Sequence, residues 1–115
     1  MEFKHEAIFC IVNSGYSETV MDTAKKLGAR GGTVINARGT ASKAAENFFH
    51  ITVTPEKEIV MILVPTKIKD AVMHALYKKV GLETAGQGIA FSVPVDNVVG
   101  LSEDTPATTS EKTEK

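Results

Sequence analysis

Three short glycine segments are where residue type and spacing in this chain could do chemistry. The first is Gly28-Ala29-Arg30-Gly31-Gly32-Thr33, the second Arg38-Gly39-Thr40, and the third Gly86-Gln87-Gly88. A glycine backbone reaches positive φ and lets its amide approach a ligand closely, which is how phosphate oxygens are cradled. A Gly-x-Gly before a strand serves equally as a plain turn, so no single segment fixes a chemistry. Neither the dinucleotide-binding fingerprint nor the phosphate loop of nucleoside triphosphatases is written in the chain.

Other reactive groups are scattered. His5, His50 and His74 lack the one-turn spacing of metal ligands and read as surface or strand-edge residues. Ser14 and Ser17 have no histidine near them in sequence to act as a base, so an enzyme is not expected. Cys10 is the single cysteine, which excludes an intramolecular disulfide, and its neighbours Ile8, Phe9, Ile11 and Val12 suit a small core residue. The net charge of -1 and the 6% of aromatic residues give no basic, stacking face for nucleic acid. No apolar run is long enough to cross a bilayer and no signal-peptide pattern opens the chain, so the expected location is the cytoplasm, without membrane insertion.

The rest of the 115 residues must hold the glycine segments in place. Glu6–Val12 is a short apolar run that suits a central strand, ended by Asn13-Ser14-Gly15. Ser17 then reads as a helix N-cap, with Tyr16 and Met21 placed for a hydrophobic staple. Val20, Met21, Ala24 and Leu27 form the helix's apolar stripe, and Gly28 stops it. Thr33–Ala37 follows as a second strand. Arg38–His50 reads as a loop with at most one helical turn, and Phe48–Val53 as a short extended arm broken by Pro55. Ile59–Val64 is the most apolar run and belongs in the middle of the sheet. Thr66 can cap a second helix, whose stripe is Ile68, Val72, Ala75, Leu76 and Val80 and whose stop is Gly81. A loop through Gly86 leads to a last strand, Ile89–Val95, and Val98–Leu101 could add a small extra one.

The order β-α-β-β-α-β describes an α+β, ferredoxin-like βαββαβ sandwich: a four-stranded antiparallel sheet with two helices on one face. The other face, lined from strands as apolar as IVMILV, would then be bare, and oligomerisation is the simplest way to cover it. One domain spans 1–101. Residues 102–115 carry four acidic and two basic residues and no large apolar one, which reads as a disordered polar tail.

Taken with this order, the glycine segments resemble the PII nitrogen-regulatory family over roughly Glu6 to Leu101. The most specific portions are GARGGTVINARG (28–39), IVMILVP (59–65) and GQGIAFSVPV (86–95), the last looking like the family's B-loop and following strand. The resemblance implies a non-enzymatic, homotrimeric signal-transduction regulator with an adenine-nucleotide pocket between neighbouring subunits. Gly31 and Thr33 would come from one subunit and Gly39, Gly86, Gln87 and Gly88 from the other. Val64 would lie beside the adenine, Thr33 would bond the base, and the glycine amides would meet phosphate. The loop 38–50 corresponds to the family's T-loop, shorter here, through which a transporter, channel or enzyme would be contacted.

Departures from the family pattern shape the ligand. Ile89 stands where the family has a lysine, Gly100 and Ser102 where it has an arginine pair, and Met61 where it has an acidic residue. Lys43 stands near the place of a glutamine that binds metal and 2-oxoglutarate, so neither classical nitrogen sensing nor a metal is implied. Each missing charge-assisted contact is worth about 1.5–3 kcal/mol. AMP, ADP or a cyclic nucleotide such as cyclic AMP therefore fits better than ATP. Arg38 and Lys43 are either replacement cations or solvated surface residues. Two other readings stand beside this one: a trimeric sensor of another small anion such as bicarbonate, and a structural trimer resembling the CutA-type proteins.

Overall fold

The computed structural model describes residues 3–39 and 55–100. In chain order the elements are β1 (His5–Asn13), α1 (Ser17–Lys26), β2 (Gly32–Arg38), β3 (Glu56–Pro65), α2 (Thr66–Val80) and β4 (Ile89–Val95). The strands lie in the order β2-β3-β1-β4, every neighbouring pair antiparallel. The expected α+β class and element order hold, and both expected central strands lie in the middle. The expected arm at 48–53 and the tail at 102–115 fall outside the described residues, as does the loop from position 40 onward.

Side chains alternate across a strand, and here the alternation separates two different surfaces. Ile8, Cys10 and Val12 of β1 and Val60, Ile62 and Val64 of β3 face the helices and are at most 1% exposed. Val20 and Ala24 from α1 and Val72, Leu76 and Val80 from α2 close over them. Complete burial of each such aliphatic side chain contributes about 1.5–3 kcal/mol. The opposite rows are Ala7, Phe9 and Ile11 on β1 and Ile59, Met61 and Leu63 on β3, all half-buried. Towards the sheet edges this face becomes frankly exposed: Ile35 is 43% accessible, Phe91 46% and Ile89 59%. Phe9 and Phe91, opposite each other in the β1–β4 ladder, stack with ring centroids 5.2 Å apart.

The helix ends depart from what the sequence suggests. Ser17 is the first helical residue and not the cap; Tyr16 holds that position and makes no side-chain cap bond. The role passes to a strand, because Glu58 on β3 accepts from the backbone N–H groups of Gly15 and Ser17, each at 3.1 Å. A full carboxylate at the positive end of a helix outcompetes a serine hydroxyl for those donors. Thr66 likewise is not a cap: Pro65 holds that position, and the Thr66 hydroxyl donates to the Phe3 carbonyl at 2.7 Å. The C-terminus of α1 ends as expected at Gly28, whose φ of +115° suits glycine. Gly28 N–H and Ala29 N–H donate to the carbonyls of Lys25 and Ala24, each at 3.1 Å, which satisfies the helix's last turn. Among the described residues Val98, Val99 and Gly100 form no strand, Val99 is 93% exposed, and Leu101 lies outside them.

Candidate functional site

Antiparallel pairing sorts the candidate residues to opposite ends of the sheet. Thr33 lies beside Met61 and His5 beside Pro65, so Gly31, Thr33 and Val64 share one end. Arg38 lies beside Glu56, Asn13 beside Lys57, and Ile11 beside Ile89, so Arg38, Gly39, Gly86, Gln87, Gly88 and Ile89 share the other. The seven residue steps of β3 from Lys57 to Val64 put about 23 Å of extended strand between the two groups. One chain therefore does not bring them together, and Lys43 lies outside the described residues.

At the first end, Thr33 is exposed on the open face of the sheet, in the same row as Ile35. Gly31 has open space where a Cβ would be, whereas a Cβ on Gly32 would stand 2.7 Å from the Met61 carbonyl. Of this glycine pair, then, packing requires Gly32 and leaves Gly31 free. Val64 faces the helices with no accessible surface, so the chain by itself presents none of it to a ligand.

The second end is built around the loop leaving α2. Gly81 closes the helix, its N–H bonded to the Tyr77 carbonyl, and Thr84 folds back on Gly81 through both its backbone N–H and its hydroxyl. Gly86 N–H donates to the Thr84 hydroxyl and Gln87 N–H to the Thr84 carbonyl, while Gly88 N–H donates to the Val80 carbonyl. Gly39 N–H is engaged too, with the Pro55 carbonyl at 2.8 Å. At this end, the glycine amides that the family resemblance offers to phosphate, those of Gly39, Gly86 and Gly88, are thus already hydrogen-bonded within the chain. Packing accounts for two of these glycines: a Cβ on Gly88 would strike the Val80 carbonyl, and one on Gly86 would press on Val80 Cβ at 3.2 Å. The left-handed backbone falls instead on Gln87, at φ +49°, an uncommon conformation for a residue with a side chain.

Beside this loop stands a polar cluster that the sequence reading missed. Lys57 Nζ donates to Asn13 Oδ1 at 2.6 Å, and Asn13 Nδ2 donates to the Ala85 carbonyl at 3.0 Å and to Gln87 Oε1 at 3.2 Å. Asn13 N–H also donates to the Gly86 carbonyl at 2.9 Å. The Lys57 stem runs over Gly39, whose absent Cβ would lie 3.1 Å from Lys57 Cγ. Asn13 and Lys57 end the open-face rows of β1 and β3, so the cluster sits on the rim of the bare surface. The available signal was the alternation Glu56-Lys57-Glu58 ahead of the apolar run. Its charges hid three residues of strand, and only the β1–β3 register brings Lys57 to Asn13.

A cavity of about 310 Å³ lies between α2 and the start of β4, lined by Cys10, Met73, Leu76, Tyr77 and Ile89 among others. Burial pushes the Cys10 thiol up to about 11, so it is protonated at neutral pH and no nucleophile. Among the described residues no group of three His, Cys, Asp or Glu side chains gathers to hold a metal ion, and no helix is long and apolar enough to cross a membrane.

A helix-covered antiparallel sheet with a glycine loop at one end is the architecture of small ferredoxin-like ligand-binding domains. The sequence profile of the nitrogen regulatory protein P-II family matches residues 5–105, and the chain belongs to that family of signal-transduction regulators. Solved structures share its fold at low identity. PII from Arabidopsis thaliana bound to citrate is 22% identical with a TM-score of 0.65, the match covering 89% of this chain and 84% of that one. GlnK from B. subtilis in complex with ATP is 19% identical with a TM-score of 0.66, over 86% and 88% of the two chains. CPII from Thiomonas intermedia K12, bound to ADP, AMP and bicarbonate, is 13% identical with a TM-score of 0.64, over 86% and 98%. No curated protein sequence matches this chain.

Proposed function

We propose that this chain is a non-enzymatic, cytoplasmic regulator that assembles as a trimer through its open sheet face and binds an adenine nucleotide between neighbouring copies. The observation that carries the reading is the division of the candidate residues. Thr33 at one end of the sheet and the Asn13–Lys57–Gln87 cluster at the other both border the same apolar face. A neighbouring copy on that face can bring one chain's Gly31 and Thr33 against another's Gly39 and Gly86–Ile89, which one chain alone cannot do.

AMP, ADP or a cyclic nucleotide is favoured over ATP. Ile89 offers no cation, and the amides of Gly86, Gln87 and Gly88 have internal acceptors that a phosphate would have to displace. Lys57, together with Arg38 and Lys43 of the segment 38–50, supplies the positive charge instead. Control of a transporter, channel or enzyme runs through the segment 38–50, which leaves the sheet at this end. The CPII relative bound to ADP, AMP and bicarbonate supports a second reading, in which the physiological ligand is a small anion such as bicarbonate.

Isothermal calorimetry with AMP, ADP, ATP, cyclic AMP and bicarbonate, run beside light scattering, tests the proposal. A trimer with AMP or ADP bound more tightly than ATP is the expected result. Heat with bicarbonate alone selects the second reading, and a monomer that binds none of the five ends both.

A further inference from the structure

We propose that the side-chain amide of Asn13 couples Lys57 to the glycine loop, so that whatever engages the Lys57 ammonium resets Gly86–Gly88. A side-chain amide is asymmetric: one edge only accepts and the other only donates. An ammonium only donates. Lys57 Nζ, 2.6 Å from Asn13, therefore fixes the oxygen edge of that amide towards itself. The nitrogen edge is then turned towards the Ala85 carbonyl and Gln87 Oε1, both of which only accept at those atoms. Flipping the amide would set oxygen against oxygen on the loop side and N–H against N–H on the lysine side. The cation and the two loop acceptors thus favour the same orientation, and the cation anchors the amide that ties down the loop.

The loop has reason to need the tie. Gln87 is held at φ +49°, where a non-glycine residue stays only if its surroundings impose it. Its side chain and the preceding Ala85 carbonyl are what Asn13 Nδ2 grips. An anionic group on a ligand competes for the Lys57 ammonium, because a charged acceptor outmatches an amide oxygen. Once the ammonium leaves, the amide loses the anchor on its oxygen edge, and its grip on the loop weakens. Asn13 and Lys57 are positioning residues in this scheme. The ligand-dependent half rests on the nucleotide or anion reading above, while the coupling itself is a property of the empty protein.

Hydrogen exchange on the full chain without ligand tests the coupling directly. Lys57→Met is expected to speed exchange of the Gly86, Gln87 and Gly88 amides about tenfold, the loss of one hydrogen bond's local stabilisation, with Val20 and Ala24 in α1 unchanged. Asn13→Ala should give the same rise, and adding Lys57→Met to it should add nothing. Lys57→Arg, which can still donate, should restore protection. Asn13→Asp is the sharpest variant: it keeps an acceptor for Lys57 but faces the loop with a second acceptor, and it too should loosen 86–88. Unchanged exchange in Lys57→Met, or additive rises in the double variant, overturns the proposal. AMP, ADP and bicarbonate are then added to the wild type. Silence from all three defeats the nucleotide and anion readings while leaving the apo coupling result standing. Binding without any change at 86–88 defeats the ligand-driven half of the coupling.

Discussion

The two faces of the sheet are drawn from similar residues and meet different fates. On the covered face Ile8, Cys10, Val12, Val60, Ile62 and Val64 have at most 1% of their surface left. On the open face Ile35, Ile89, Phe91 and Val93 keep 43–59%. Polarity does not separate them, since both rows are apolar; the helices cover one and not the other. An apolar surface the fold has not buried remains available for burial by something else, and a monomer rarely leaves one so large uncovered. The covered face makes the domain, and the open face is the surface on which the proposed assembly rests.

The largest effect belongs to the covered face. Ile62→Ala removes a fully buried side chain between β3 and the helices, and should lower unfolding free energy by about 2–5 kcal/mol in urea titrations. A loss below about 1 kcal/mol would mean the core collapses around the gap and the face is less tightly packed than its burial implies. Cys10 probes the same face through pH. Its thiol titrates near 9.0 when free and is pushed up to about 11 by burial, so the native state keeps a proton that the unfolded chain releases. Native stability is then full below pH 9 and falls between pH 9 and 11, by about 2–3 kcal/mol in all. Cys10→Ala should lack that decline when both proteins are melted across the range under reducing conditions.

Phe91→Lys tests the open face by contrast. The stack with Phe9 is lost, at about 0.5–1.5 kcal/mol, so the domain should stay folded by circular dichroism. Assembly should not survive a lysine in the middle of an apolar interface. Light scattering that still reports the wild-type mass would show that this face is not where copies meet.

How much of this was legible in the sequence follows from which interactions are local. The element order and β4 could be read directly, because IAFSVPV, IVMILV and EAIFCIV announce strands within their own windows. The helix stop at Gly28 was equally local. The start of β3 was not: Glu56, Lys57 and Glu58 are poor strand formers, and they extend β3 only because β1 and β2 lie on either side to pair with them. For the same reason the cap of α1 was assigned to Ser17, the nearest suitable hydroxyl, when a carboxylate some forty residues away had the better claim. The glycine segments were visible as segments, but their engaged amides were not, since Val80, Thr84 and Pro55 become their acceptors only once the chain is folded. The Asn13–Lys57–Gln87 cluster joins three regions of the chain and no spacing rule could reach it.

Glu58 supplies the finest test, because it ends the helix-facing row of β3 as Lys57 ends the open one. Its Oε1 accepts from both Gly15 and Ser17 N–H groups at the start of α1. Glu58→Gln keeps an oxygen able to accept those bonds and removes only the charge at the helix's positive end, about 0.3–1 kcal/mol. Glu58→Ala removes the acceptor as well and should cost about 1 kcal/mol more. The ordering of wild type, glutamine and alanine in thermal melts therefore separates charge from hydrogen bonding at one atom. Both variants should leave light-scattering mass untouched, as expected of a residue that serves the covered face. A change in assembly from Glu58→Gln would mean that the two rows are not independent at this end of the sheet, and the division between fold and interface would have to be redrawn there.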